Sequence, residues 1–233
     1  MTNYAMTHDL KKCMGCGACL IACKIENNVT EGIKWLNYET KTTGKFPNVS
    51  YEVQLNQCNH CDNAPCTRVC PTRAMHKRRD TGLTLHNPKR CVGCRACMVA
   101  CPYDAISFNR YEPHAMFKDD QALVPGGTSS GRELTSRMEG APPIPTYNPA
   151  LNQNYLGIRK KGLVEKCTFC SHRLARGQQP RCVEACPAGA RLLGDLDDPV
   201  DPIHELIARY PSKVRMPEQG TKPKVIYLRN YGY

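Results

Sequence analysis

Short runs in which apolar and polar residues alternate recur along this chain, and they predict a fold with short strands. From Val49 to Leu55 every second residue is apolar, which is the pattern of a half-buried strand. Three further runs predict strands, and they lie at 105–108, 190–196 and 224–229.

Helical patterns are equally short. A helix is predicted at 202–210, because its three large aliphatic residues fall on one face. Two shorter helices are predicted at 64–70 and 95–101. The runs 72–77 and 83–85 flank an Asp80-Thr81-Gly82 turn, so they predict a β-hairpin. Strands and helices of this kind indicate an α+β fold.

The segment 111–161 has no periodicity and is rich in Pro, Gly and Ser. Loops this long are uncommon in a compact domain unless they are functional or disordered. We interpret 111–161 as an insertion that docks on a partner, with a solvent-exposed disordered segment as the alternative.

The composition gives the fold few apolar residues to bury. Aromatic residues make up only 7% of the 233 residues, whereas the chain has 16 cysteines. No apolar run is long enough for a transmembrane helix. The first residues show no secretory signal, so we expect no export signal on this chain.

The cysteines fall into four groups of four, with none left over. They are Cys13, Cys16, Cys19 and Cys23; Cys58, Cys61, Cys66 and Cys70; Cys91, Cys94, Cys97 and Cys101; and Cys167, Cys170, Cys182 and Cys186. Groups one and three have the spacing C-x2-C-x2-C-x3-C, while group two has x4 and group four x11 between its second and third cysteines. Proline follows the last cysteine of every group except the first, where Lys24 stands.

This spacing is typical of bacterial ferredoxins, in which a tight loop supplies three thiolates to one [4Fe–4S] cubane and the fourth cysteine binds the neighbouring cluster. Zinc sites instead use two separated C-x2-C pairs. A disulfide framework is typical of small secreted domains. The sequence therefore predicts four [4Fe–4S] clusters, with zinc and disulfides as the alternatives.

The gaps between groups indicate how they pair. Groups two and three are separated by a short link, as within one two-cluster ferredoxin, whereas longer stretches separate them from groups one and four. We therefore predict an inner ferredoxin-like unit at 58–110, inserted into an outer unit formed by 1–57 and 162–233. Long loop insertions complete this arrangement.

Exchange of the fourth cysteine within each unit predicts four ligand sets. Set A is Cys13, Cys16, Cys19 and Cys186; set B is Cys23, Cys167, Cys170 and Cys182; set C is Cys58, Cys61, Cys66 and Cys101; set D is Cys70, Cys91, Cys94 and Cys97. Local ligation within each sequence group is the alternative.

The charge does not require a nucleic-acid partner. The formal net charge is +11. An oxidised [4Fe–4S] cluster with four thiolates carries about −2, so four clusters bring the loaded chain to about +3. A zinc-dependent nucleic-acid binder stays an alternative, but we expect no nucleic-acid partner.

The sequence contains no set of catalytic residues. Nucleotide-binding motifs and a Ser–His–Asp set are absent, and every cysteine is accounted for as a ligand. His60 and His172 lie within cysteine loops, where each is either a donor to a cluster sulfur or an ordinary satisfied histidine. We therefore expect one-electron transfer and no substrate chemistry on this chain.

The whole chain resembles the iron–sulfur B subunits of the DMSO reductase family of molybdoenzymes. The motifs that carry the resemblance are Cys-Asn-His-Cys-Asp-Asn-Ala-Pro-Cys (58–66), Cys-Pro-Tyr-Asp-Ala-Ile (101–106), Lys-Cys-Thr-Phe-Cys (166–170) and Gly-Asp-Leu-Asp-Asp-Pro (194–199). Within that family, Glu-Asn-Asn (26–28) followed by Gly-Ile-Lys-Trp (32–35) is most similar to the small subunits of respiratory arsenate reductases and arsenite oxidases.

The resemblance implies a large catalytic partner that carries a molybdenum bis-pterin cofactor. It also implies electron exchange with a membrane quinol-oxidising subunit or a cytochrome, in anaerobic respiration such as arsenate reduction or arsenite oxidation. Export with the partner implies a periplasmic location, while a cytoplasmic one stays open. The alternatives are the B subunit of a polysulfide, thiosulfate or tetrathionate reductase, and a free polyferredoxin electron carrier.

Overall fold

A computed structural model describes residues 1–30, 32–110 and 160–229. The strands are β1 Tyr4–Asp9, β2 Leu36–Lys45, β3 Asn48–Gln57, β4 Met75–Lys77, β5 Thr84–His86, β6 Ile106–Phe108, β7 Val164–Lys166, β8 Arg191–Asp195, β9 Ser212–Lys213 and β10 Val225–Leu228. The helices are α1 Ala18–Glu26, α2 Pro65–Arg68, α3 Ala96–Val99, α4 Ser171–Leu174, α5 Arg181–Glu184 and α6 Pro202–Arg209, with a 3₁₀ helix at Pro217–Gln219. Short strands and helices mix along the chain, which is an α+β fold.

A four-stranded sheet has the strand order β8-β1-β10-β9 and brings together strands from the first and last parts of the described sequence. We call it the end-joining sheet. Strand β1 pairs antiparallel with β8 and parallel with β10. The strands predicted at 190–196 and 224–229 are thus confirmed as β8 and β10. Strand β1 carries no alternation in its sequence, because both of its faces are covered and Thr7, His8 and Asp9 are buried with its apolar residues.

The strand predicted at 49–55 is confirmed as β3, but its partner was not predicted. Strands β2 and β3 form a ten-residue hairpin with continuous register from Leu36↔Gln57 to Lys45↔Asn48. Most residues of β2 are exposed, so the strand lacks an apolar face that the sequence could reveal. At the tip, the Phe46 side chain is exposed.

Two small ladders complete the fold. The hairpin predicted from the runs 72–77 and 83–85 is confirmed as β4 and β5, although β4 begins three residues later than predicted and β5 is shifted by one residue. The strand predicted at 105–108 is confirmed as β6, and it pairs antiparallel with β7. This second ladder joins a segment that we assigned to the inner unit with one that we assigned to the outer unit. The two halves therefore share a ladder.

The helices that contain cysteines are single turns, except α1. In groups two, three and four, the carbonyl of the last cysteine accepts a hydrogen bond from the backbone N–H three residues later, at 3.2–3.4 Å. Proline occupies the second position of each of these turns. Group one has Lys24 at that position, so α1 continues through Cys23 to Glu26. The predicted helix at 202–210 is confirmed as α6, capped by the Asp201 carboxylate.

Two apolar clusters lie beneath the cysteine loops. The first packs residues of the end-joining sheet, such as Met6 and Tyr227, against Cys23, Cys167 and Cys182. The second combines Met75 and Ile106 with cysteines of groups two and three. None of the helices in the described ranges is long and apolar enough to cross a membrane. The insertion predicted at 111–161 lies almost wholly outside the described residues.

Candidate electron-transfer site

Left-handed backbone conformations shape the cysteine loops. Gly15 and Gly93 lie at the same position of groups one and three, with φ of 71° and 70°. Two residues further on, the residue that precedes the helix is also left-handed, and it is Gly17 in group one but Arg95 in group three. The Arg95 guanidinium lies over the Phe108 ring, 4.2 Å from its centroid. These turns bend each loop so that its first three cysteines line one cavity.

The structure places Cys186 with the first three cysteines of group one. All four cysteines of set A line one apolar cavity. Burial, followed by the charges of Cys186 and Cys16, raises the pKa of the Cys13 thiol. Burial also raises the pKa of Cys19 to about 11, with Cys182, Cys13 and Cys186 as its negative neighbours. Set A is therefore one spatial group, and Cys182 of set B lies next to it.

Cys23 leaves its own sequence group in the same way. Burial raises its pKa well above the ordinary value, and the neighbouring charges that add to this are Cys167, Cys182 and Cys170. The pKa of Cys170 is raised to about 12 by burial and then by Cys182. The members of set B are all buried.

Sets C and D repeat the arrangement in the other half. Burial raises the pKa of Cys66 to about 12, with Cys58, Cys101 and Cys61 as negative neighbours. Burial raises that of Cys97 to about 11, with Cys91, Cys70 and Cys94 as neighbours. The four cysteines of set D also line one cavity. In every set, then, the fourth cysteine of one sequence group lies beside the first three of another.

The four spatial groups form a row. Cys19 of set A neighbours Cys182 of set B, and Cys167 of set B neighbours Cys58 of set C. Sets C and D share the second apolar cluster. Exposure follows the row, since set B is buried, set C is buried except for half-buried Cys101, and Cys16 and Cys94 are exposed in the sets at the two ends.

Hydrogen-bond donors point at several of the sulfurs. Backbone N–H groups donate to the Sγ atoms of Cys70, Cys91, Cys167 and Cys186 at 3.3–3.4 Å. The Asn27 side chain donates to the Cys23 and Cys170 sulfurs at 3.7 Å. Such donors stabilise the more negative, reduced form of a cluster. From the sequence Asn27 was noted only as part of a family motif, because its sulfur contact bridges distant segments.

Two buried cations lie between the sets. Lys166 is 1% exposed and donates to the carbonyls of Thr84 and Cys167. Arg191 is 5% exposed, and the negative charges that act on it most strongly are those of Cys182, Cys19, Cys167 and Cys23. Arg191 was not singled out from the sequence. The sequence did contain a signal, because Arg191 stands five residues after the last cysteine of group four, where groups two and three have an apolar residue.

The histidines in the cysteine loops have protein partners. His172 Nε2 lies 2.7 Å from Glu26 Oε1 in a buried pair, so the ordinary interpretation holds for this residue. His60 is fully buried, accepts from the Thr84 N–H at Nδ1 and packs on Phe169. Burial, followed by Lys166, lowers the pKa of His60, which keeps its ring neutral.

The donor set fits iron–sulfur clusters. Thiols whose pKa is raised to 11 or 12 are protonated at neutral pH unless a metal centre stabilises the thiolate. His8 and Arg191 both line the set A cavity. Among the described residues, neither ring nitrogen of His8 has a hydrogen-bond partner, and two nitrogens of Arg191 also lack one. Buried polar groups without a partner are costly, and cluster sulfurs would accept from them. Within the described ranges, no three His, Cys, Asp or Glu side chains are placed to hold one single metal ion.

Comparison with known proteins agrees with this chemistry. Residues 12–74 match one 4Fe-4S dicluster domain family, and residues 49–119 with 153–196 match a second family of the same description. The chain is 49% identical over 230 residues to the arsenate respiratory reductase iron-sulfur subunit ArrB of Shewanella sp. strain ANA-3, an alignment covering 99% of this chain and 97% of that protein.

Other relatives are more distant but also match over most of this chain. The B subunits of the selenate reductase of Mesobacillus selenatarsenatis and of the tetrathionate reductase of Salmonella typhimurium are each 35% identical. Each alignment covers 97% of this chain and 72% of the relative.

The fold and the cysteine sets define a ferredoxin-like protein that binds [4Fe–4S] clusters and transfers electrons. More narrowly, the chain belongs to the iron–sulfur B subunits of the DMSO reductase family of molybdoenzymes. The resemblance inferred from the cysteine motifs is thereby confirmed.

Proposed function

We propose that this chain carries four [4Fe–4S] clusters and conducts single electrons between a large molybdopterin catalytic subunit and a quinol- or cytochrome-linked partner. The observation that carries the proposal is the gathering of sixteen cysteines into four neighbouring sets of four. When bound, each cluster gains and loses one electron. The chain performs no substrate chemistry of its own.

Each spatial set holds one cluster. The cavities lined by sets A and D support exchange of the fourth cysteine, because local ligation would draw Cys186 and Cys70 away from the cysteines that they neighbour. Sets A and B belong to the outer unit and sets C and D to the inner unit. The pairing of β1 with β8 and β10 supports this nesting, since it brings together the two segments assigned to the outer unit.

Electrons pass along the row of sets from one exposed end to the other. The buried middle sets exclude water, and the exposed ends carry apolar side chains that suit contact with a partner. Met14 is 65% exposed beside the set A cavity, and Val92 is 66% exposed beside the set D cavity. The segment 111–161 docks on such a partner.

The partner's reaction is arsenate reduction or its reverse, which follows the name of the relative with 49% identity. Selenate and tetrathionate reductases are named for the relatives with 35% identity, so they are the alternatives. The complex is periplasmic, exported on a signal carried by the catalytic subunit.

Anaerobic purification from the native host tests the assembly. We expect a large molybdenum-containing subunit to co-purify, about sixteen irons per copy of this chain and four reducible paramagnetic centres. Isolation of the iron-loaded chain alone, with full electron-carrier activity toward several enzymes, would favour a free polyferredoxin. Addition of arsenate, selenate or tetrathionate to the reduced complex, followed by optical reoxidation, identifies the substrate.

A ligand substitution tests the cluster assignment. Cys66→Ser removes a buried thiolate from set C, so we expect about four fewer irons per chain and no electron transfer between the ends. The neighbouring Thr67→Ser keeps all ligands and should retain iron and turnover. Retention of all iron and full turnover in Cys66→Ser would contradict the assignment.

A further inference from the structure

Arg191 is a buried cation held at a fixed place in the end-joining sheet. It is the first residue of β8 and lies opposite His8 of β1. Its Nη2 donates to Gln57 Oε1 at 2.5 Å and lies 2.7 Å from the Met6 sulfur. Only 5% of the residue is exposed. The guanidinium is therefore anchored at one end, and its charge is shielded from solvent.

In the part of the chain that the structure describes, no carboxylate pairs with this charge. In the described ranges Arg191 takes part in none of the ion pairs, and its Nε and Nη1 have no hydrogen-bond partner. A buried unpaired cation is strongly destabilising, so the compensating negative charge must come from close by. The thiolates whose charges act most strongly on Arg191 belong to sets A and B, namely Cys19 in set A and Cys182 in set B. Arg191 also lines the set A cavity.

The cysteine loop itself does not require a cation at this position. Met75 and Ile106 stand five residues after Cys70 and Cys101, just as Arg191 stands five residues after Cys186. Both are buried, at 2% and 3% exposure, and both are apolar. The inner loops therefore fold with an apolar residue where the outer loop has a charge, so the charge serves a purpose other than packing.

We propose that Arg191 is a positioning residue for the clusters of sets A and B, the two sets of the outer unit. It raises the reduction potentials of both clusters by placing one fixed positive charge beside them. The proposal rests on the proposed function, because it requires clusters in sets A and B. Reduction adds one electron to a cluster and makes it more negative, with no bond made or broken. A nearby fixed cation stabilises that reduced form, and water cannot screen it at this depth.

Anaerobic redox titration monitored by electron paramagnetic resonance tests the proposal on the iron-loaded complex. Arg191→Met introduces the residue type that group two has at the equivalent position, Met75. In this variant we expect the ratio of reduced to oxidised centre at a given potential to fall about tenfold for two of the four centres. For one electron this is a shift of about 59 mV to lower potential. The other two centres should not move. Arg209→Met removes the same charge from an exposed helix position and should move no centre.

Two further variants separate charge from packing. Arg191→Lys keeps the charge and should hold both potentials within about threefold of wild type. Gln57→Glu places a carboxylate on the guanidinium and should lower the same two potentials while Arg191 remains. Should Arg191→Met fail to bind its clusters, Gln57→Glu decides the question. Wild-type potentials in loaded Gln57→Glu or Arg191→Met, or equal shifts in all four centres, would overturn the proposal. Wild-type protein without four centres would instead overturn the proposed function.

Discussion

At the scale of single residues, two glycines at the same loop position face different surroundings. Gly15 and Gly93 both adopt a left-handed conformation that costs other residues about 1–2 kcal/mol. A Cβ atom at Gly15 would lie 3.0 Å from a methyl group of Val53, a side chain able to shift. A Cβ atom at Gly93 would lie 2.1 Å from the carbonyl oxygen of Gly162, which is backbone. The loop of group three is therefore less tolerant than that of group one.

Gly93→Ala should be clearly more damaging than Gly15→Ala. We expect Gly93→Ala to lose about 1–3 kcal/mol beyond the shared conformational cost, since the backbone at Gly162 has to move. The loop also holds three of the four cysteines of set D, so iron content should fall by up to about four per chain. Iron analysis and denaturant unfolding of both variants measure this. Equal losses in the two variants would show that the Gly162 contact is unimportant.

The sequence revealed the cysteines but not their polar surroundings. All sixteen are recognisable because the spacing of ferredoxin ligands is local. By contrast, Asn27 reaches the sulfur of Cys170, and Glu26 pairs with His172, across more than 140 residues of chain. Such contacts depend on how distant loops pack, and a single sequence does not contain that information.

At the scale of elements, an ion pair joins the carboxyl ends of the neighbouring parallel strands β1 and β10 in the end-joining sheet. The Asp9 carboxylate ends β1 and binds the Arg229 guanidinium just after β10, at 2.9 Å to Nε. It also accepts from the N–H groups of Lys11 and Lys12, which lead into the first cysteine loop. Burial alone would raise the pKa of Asp9, but Arg229 and these N–H groups together lower it. This carboxylate therefore couples the sheet to the loop that begins at Cys13.

Asp9→Asn should destabilise the fold by about 2 kcal/mol at pH 7, because it removes the buried carboxylate charge that binds Arg229. A carboxylate with a lowered pKa contributes its stabilisation above the unfolded pKa, near 3.9, and loses it as pH falls through the lower folded value. The gap between wild type and variant should thus stay constant from pH 7 to 5 and shrink below about pH 4. Denaturant unfolding at these pH values measures the gap.

Asp80→Asn provides the control for that experiment. Asp80 pairs with Arg78 at an exposed site, where ion pairs contribute little. A loss in Asp80→Asn as large as in Asp9→Asn would mean that burial of the pair does not matter.

The sequence predicted the elements that have an apolar face and missed those that do not. Strand β3 and helix α6 were found through their periodicity. Strand β2 was missed because most of it faces solvent, and β1 because both faces are covered. The length of α1 follows from Lys24, where the other groups have proline, yet no helix was predicted from that difference.

At the scale of the whole molecule, the row of cysteine sets runs from one exposed end to another through a buried middle. We expect brief exposure to air to destroy the clusters proposed for sets A and D first, because solvent and oxygen reach Cys16 and Cys94. Iron should fall to about half while two paramagnetic centres persist. Alkylation of released thiols, followed by peptide mapping, should label Cys16 and Cys94 early and Cys66 and Cys170 late.

The matched control is a sample kept without oxygen and alkylated for the same time, in which all four cysteines should stay unlabelled. Early labelling of Cys170 in the aerated sample would argue that the middle of the row opens as readily as its ends.

The end-joining sheet has a consequence for biosynthesis. Strand β1 is translated well before its partners β8 and β10, which begin only at Arg191 and Val225. A nascent chain can close the hairpin of β4 and β5 early, but β1 stays unpaired until β8 and β10 have been translated. We therefore expect set A to receive a metal centre only after β8 and Cys186 have been translated, and a chain cut before Cys186 to leave that set incomplete.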